Sequence, residues 1–163
     1  MTTGAGTWAL GEGDYQRISQ HLAELLREAN ARCAMLVDRT GQLLASVGES
    51  LAFDPTAFAS LTAADFSAND QLAKMIGEPE FASLFHQGEK ESMYLADVAR
   101  RVILVVLFDD RTTVGLVRLR VKHAVGDLVQ VLEEIFNRGA GDKGRAAGLL
   151  EGAEDEIDKL FSD

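Results

Sequence analysis

One cysteine, two prolines, three histidines and one tryptophan stand in a chain of 163 residues. Each scarcity excludes something. A lone Cys33 forms no intrachain disulfide and no cysteine-based metal cluster. It falls in a predicted strand, where a buried thiol is expected. His21, His86 and His123 are scattered, without the His-Glu-x-x-His spacing that holds zinc, so no metal and no cofactor is expected. No serine sits in a Gly-x-Ser-x-Gly turn, the exposed nucleophile position of many hydrolases. The longest uninterrupted apolar run, Val102 to Phe108, is seven residues, far short of the ~20 needed to cross a bilayer, and no membrane insertion is expected. The N-terminus shows no basic stretch leading into an apolar core, so the expectation is a cytoplasmic protein without a signal peptide. Bases are in deficit as well: 16 Lys and Arg face 26 Asp and Glu, for a net charge of −10. Nucleic-acid affinity rests largely on Lys and Arg neutralising phosphates, so no nucleic-acid partner is expected.

What is present is a strong pattern of elements. Val102 to Phe108 has no polar face, so both of its sides must be covered, which asks for helices above and below one sheet. Tyr15, Ile18, Leu22, Leu25 or Leu26, and Ala29 repeat at helical spacing, with Asp14 as a candidate N-cap. Cys33 to Val37 and Leu43 to Val47 read as strands joined by an Asp38-Arg39-Thr40-Gly41 turn. Pro55 suits the first turn of a second helix running to about Ile76. Its expected buried stripe is Leu61, Ala64, Ala68, Leu72 and Met75, which leaves Phe66 on the outer face. Gly77 closes that helix and Pro79 prevents its continuation. Three strands follow, near 82–87, 92–98 and 101–108, with turns at Gly88-Glu89-Lys90 and Ala99-Arg100. A last helix begins near Thr113 with the register Val114, Val117, Val121, Ala124, Leu128, Val131 or Leu132, and Ile135.

Short links within the hairpins make the sheet mostly antiparallel. The expected class is therefore α/β in the sense of an α+β sandwich, a five-stranded antiparallel sheet flanked by helices on both faces. The order is helix, two strands, helix, three strands, helix. Residues 1–11 form an N-terminal arm, 12–137 the domain, 138–152 a Gly-rich linker and 153–163 an acidic amphipathic tail. From residue 150 onward six acids face one base, Lys159, and Ala153, Ile157, Leu160 and Phe161 fall at i, i+4, i+7 and i+8. Such a tail is expected to be disordered in isolation.

Several motifs resemble chemistry without its context. Gly139-Ala140-Gly141-Asp142-Lys143-Gly144 fits Gly-x-Gly-x-x-Gly, but it follows a helix, whereas dinucleotide binding needs a strand before the turn. Arg145-Ala146 then replaces the Lys-Ser/Thr pair of a phosphate-binding loop. Asp109-Asp110 stands at a strand end without a neighbouring third ligand, and a turn capping the next helix is the expected role. Arg100-Arg101 has the composition of an arginine finger, yet a solvated turn is the plainer expectation. No residue is assigned a catalytic role.

The chain resembles the Roadblock/dynein light chain family in its bacterial MglB-like branch. The residues that carry the likeness are Phe85-His86-Gln87-Gly88-Glu89-Lys90-Glu91-Ser92-Met93-Tyr94, then 101–112, 114–120 and 72–78. The hairpin from Val37 to Leu43 and the tail from Glu156 to Ser162 complete it. The resemblance implies that the first and last helices share one face of the sheet and the middle helix covers the other. It implies a homodimer joined through the middle helix and the strand after it, with Phe66, Ala73, Leu84 and Phe85 as dimer-contact candidates. It also implies that the dimer binds one small Ras-like GTPase, of the MglA kind, and speeds its GTP hydrolysis by repositioning the GTPase's own catalytic residues. Such a regulator acts in cell polarity and gliding motility, is not itself an enzyme, and resides in the cytoplasm with enrichment at a cell pole. Its GTPase-facing surface lies on the paired middle helices and commonly reads Thr-Ala-Gly-Asn. This chain has Thr62-Ala63-Ala64-Asp65 there, and the candidates are Thr62, Ala64, Asp65, Ser67, Ala68 and Gln71. Ile157, Leu160 and Phe161 are the candidates for a second contact through the tail. A dimeric scaffold of the same fold, binding other polarity or trafficking proteins without acting on GTP, is the alternative that Asp65, Phe66 and Gln71 motivate.

Overall fold

A computed structural model describes the backbone of residues 10–161 and the side chains of residues 10–138. The elements are α1 (Glu12–Ala29), β1 (Cys33–Asp38), β2 (Leu43–Gly48), α2 (Pro55–Met75), β3 (Ser83–Gln87), β4 (Ser92–Val98), β5 (Val102–Phe108) and α3 (Val114–Phe161). One sheet of five strands runs in the order β2-β1-β5-β4-β3, antiparallel throughout, which leaves β2 and β3 as its edges.

Strand alternation sorts the core into two layers. On β5, Val102, Leu104, Val106 and Phe108 face Ile18, Leu22 and Leu25 of α1 and Val117, Val121, Leu128 and Ile135 of α3. Ile103 and Val105 face the other way, with Met35, Leu95 and Phe66 of α2. Both faces of β5 are thus covered, as its unbroken apolar run requires.

Local chemistry sets the ends of the elements. Asp54 accepts from the Thr56 N–H at 3.0 Å and Pro55 opens α2. Gly77, at φ +87°, closes it, and the Glu78 N–H returns to the Ala73 carbonyl at 2.9 Å. In the β1–β2 turn the Asp38 carboxylate accepts from the N–H groups of Thr40 and Gln42 at 3.0 and 2.9 Å. Ala99 and Arg100, at φ +56° and +59°, form the tight β4–β5 turn.

Four expectations change. Asp14 is not the N-cap of α1. Gly11 holds that position, and Asp14 sits in the first turn, accepting from the Gly11 N–H at 3.1 Å. The cap of α3 is Thr113, whose hydroxyl accepts from the Leu116 N–H at 3.2 Å, while Asp109 shapes the preceding turn by accepting from the Arg111 N–H.

The face of α2 is inverted. Phe66 is 0% exposed against the sheet, whereas Leu61, Leu72 and Met75 are 71%, 58% and 82% exposed. The stripe at 61, 64, 68, 72 and 75 faces away from the sheet of its own chain. Ala59, Ala63 and Ala73 flank Phe66 on the buried side. Their small size lets the helix sit close while one ring fills the space between. Finally, α3 does not stop near residue 137. Its backbone remains helical through the Gly-rich stretch to Phe161. Each glycine costs about 1 kcal/mol relative to alanine, but Ala140, Lys143, Arg145, Ala146, Ala147, Leu149 and Leu150 between and beyond them are good helix formers.

Candidate docking surface

The outward side of α2 is an apolar strip with a polar flank. Leu61, Leu72 and Met75 lie along it, joined by Ile76, 71% exposed, just past the helix end. Ala64, Ser67, Ala68 and Gln71 are exposed on the same side. Beyond one margin of α2 lies β3, an edge strand hydrogen-bonded only to β4. Leu84 of β3, Met93 of β4 and Leu107 of β5 are half-buried on the α2 side of the sheet. Exposed large apolar side chains beside a free strand edge mark a surface meant to be covered.

The remaining candidates divide. Thr62, Phe66 and Ala73 are buried within a single chain, so their side chains present little surface to another molecule. Phe85 points to the opposite layer, where its ring stacks on Phe108 at 6.0 Å. Asp65 is half-buried, and its carboxylate lies 2.7 Å from Nε2 of His86 on β3. Residues 1–9 of the expected N-terminal arm, and the tail side chains of Ile157, Leu160 and Phe161, lie outside the described residues.

Sequence reasoning missed the anchor on the other flank of α2. Arg39, from the β1–β2 turn, pairs with Asp70 at 2.9 Å and with Asp97, and its guanidinium lies 4.7 Å from the Phe66 ring centre. Nothing local marks Arg39, because its partners lie 31 and 58 residues away. Beside it a shallow groove of about 440 Å³ is lined by Arg39, Ser67, Asp70, Lys74, Glu80 and Arg100.

Some acids and bases elsewhere are bound into ion pairs. At the opposite end of the sheet Glu49 accepts from Arg32 at 2.7 Å and from Arg111 at 3.1 Å. Those bonds hold its carboxyl below the usual carboxylate range. Asp109 is lowered in the same way by the Arg111 side chain. Arg100 is an exposed turn residue 3.4 Å from Glu80, and Arg101 stacks on Phe136 at 4.1 Å, so each is engaged within its own chain. Burial pushes the Cys33 thiol up, which keeps it protonated and unreactive. Among the described residues no group of three or more His, Cys, Asp or Glu stands together to hold a metal. No helix among them is long and apolar enough to cross a membrane.

A five-stranded antiparallel sheet of this order between helices is the arrangement of a known domain. The Roadblock/LC7 domain matches residues 17–108. The chain belongs to the Roadblock/LC7 family. It is similar to MglB from Myxococcus xanthus, with 44% identity over 78% of this chain and 96% of that one and a TM-score of 0.74. The gliding protein MglB from Thermus thermophilus shares 34% identity over 80% of this chain and 99% of that one, at a TM-score of 0.74. An MglB solved in a tetrameric arrangement shares 32% over 81% and 99%, at 0.76. No curated protein sequence matches. These similarities place this Roadblock domain in the MglB-like branch.

Proposed function

We propose that two copies of this Roadblock domain pair through α2 and β3, and that the dimer binds one small Ras-like GTPase and speeds its GTP hydrolysis. The observation that carries the reading is the outward apolar strip Leu61, Leu72, Met75 and Ile76 beside the unpaired edge of β3. Pairing two such edges extends the sheet, and pairing two such helices covers side chains worth about 1.5–3 kcal/mol each when fully buried. The polar flank of Ala64, Ser67, Ala68 and Gln71 then lies along the paired helices as the platform for the GTPase. Phosphoryl transfer depends chiefly on alignment and electrostatics, so a protein that only holds the GTPase's own residues in place accelerates it. The chain accordingly needs no catalytic side chain of its own. Cytoplasmic residence with enrichment at one cell pole, in the control of polarity and gliding motility, belongs to the same reading. Fluorescent tagging of the native protein tests that part.

The decisive experiment mixes the full chain with its cognate GTPase and times phosphate release. Faster release is expected, with a complex of two copies to one GTPase. The scaffold reading is favoured by Asp65 and Gln71, which are larger than the small residues a close backbone approach prefers. Unchanged phosphate release and no complex with the GTPase would remove the GTPase reading and leave the scaffold that binds other polarity or trafficking proteins.

A further inference from the structure

We propose that Asp65 and His86 form a clasp that locks α2 to the edge strand β3, and that this clasp positions the surface on which a second copy of the chain docks. The inference rests on the dimer reading above. It begins from a gap. Helix α2 packs mainly over β1 and β2. Toward the β3 edge of that same face Leu84, Met93 and Leu107 remain only half-buried. The Asp65 carboxylate bridges that gap to His86 Nε2 at 2.7 Å.

Around the helix, Asp65 is about 40° from Leu61, between the outward strip and the buried Thr62 and Asn69. The clasp therefore stands at the margin where the apolar strip of α2 meets the edge of β3. Asn69, one turn further on, is 7% exposed, and its amide nitrogen is buried without a hydrogen-bond partner among the described residues. A buried donor left unpaired is costly. It marks this margin as incomplete in one copy, although the Arg39 Nε is a buried, unpaired donor on the other flank as well.

The two flanks of α2 are held differently. Asp70 is paired with an arginine that Asp97 also holds, so that flank is fixed within the domain. Among the described residues Asp65 is paired only with an exposed histidine. A second copy must find α2 and β3 at a fixed spacing to engage both at once. His86 is thus a positioning residue, acting on the docking surface through Asp65.

The test uses the full chain in three forms, Asp65→Ala, His86→Ala, and the exchange Asp65→His with His86→Asp. Dimer dissociation is measured by sedimentation and thermal unfolding is measured beside it. An exposed pair is worth a factor of about two to five, and a symmetric dimer contains two clasps, so each alanine variant is expected to weaken the dimer about tenfold. The exchanged pair is expected to recover most of that loss. The melting temperature of the separated subunit should change little, whereas a merely stabilising surface pair would move melting and leave dimer affinity alone. A wild-type dimer indifferent to both alanine substitutions would overturn the clasp and leave the dimer reading standing. A wild-type chain that sediments as a monomer would overturn both.

Discussion

At Gly41 two constraints meet on one atom. The residue has φ +95°, and a β-carbon added there would stand 3.1 Å from the Ser60 Cα on α2. Only glycine turns the hairpin and lets the helix pass that close. Gly41→Ala is therefore expected to destabilise the fold by about 1–3 kcal/mol, read as a shift in the urea midpoint. A second residue-scale prediction concerns acid. Glu49 and Asp109 have folded-state values below their unfolded ones, with Arg32 and Arg111 as the causes. For a depressed carboxylate the stabilisation is present above the unfolded value and is lost as pH falls through the folded one. Urea midpoints should therefore hold steady from neutral pH down to about 5 and fall below about 4. Arg111→Gln removes the first cause acting on Asp109 and the second acting on Glu49, and should shrink that fall. An unchanged acid profile in the variant would show that these pairs do not contribute.

At the scale of the element, α2 is where sequence and structure part. Leu72→Asp places a charge on the outward strip and, if that strip is a dimer contact, should raise the dimer dissociation constant by about two orders of magnitude. Its effect on subunit stability should be small, because Leu72 is 58% exposed. Phe66→Ala should do the reverse, costing about 3–5 kcal/mol of stability by emptying a core site. Circular dichroism and sedimentation on the two variants separate the faces. The strands were legible because β5 has no polar side and because Asp38 to Gly41, Gly77 and Pro79 punctuate the chain. The register of α2 was not legible from periodicity. A helix between a sheet and a second molecule carries two apolar faces, and a 3.6-residue repeat does not say which one meets its own chain. The larger residues, Leu61, Leu72 and Met75, drew the assignment. Alanines around one phenylalanine mark the closer approach. Arg39 and its distant acids left no local trace, and the Asp65–His86 pair needed the fold to join helix to strand.

At the scale of the whole molecule the domain and its last helix differ in reach. The 48 residues of α3 span about 72 Å, of which the 23 after Arg138 account for roughly 35 Å. The body of the domain uses the first part: Arg17 pairs with Glu134 at 2.8 Å, and Arg138 with Asp14, so α1 and α3 are tied up to that point. The remainder holds the acidic segment with Ile157, Leu160 and Phe161. We propose that this segment is a second point of attachment for the GTPase. Two linked contacts bind more tightly than either alone, because the second forms at high effective concentration. Removing residues 140–163 should therefore leave the dimer intact and weaken GTPase binding by about tenfold or more, measured by titration with a fluorescent nucleotide complex. The apolar triple variant Ile157→Ser, Leu160→Ser, Phe161→Ser should reproduce most of that loss, since the apolar stripe and not the length carries the contact. If the truncated chain fell apart to monomers instead, the segment would belong to the dimer contact, and the GTPase would be held by α2 alone.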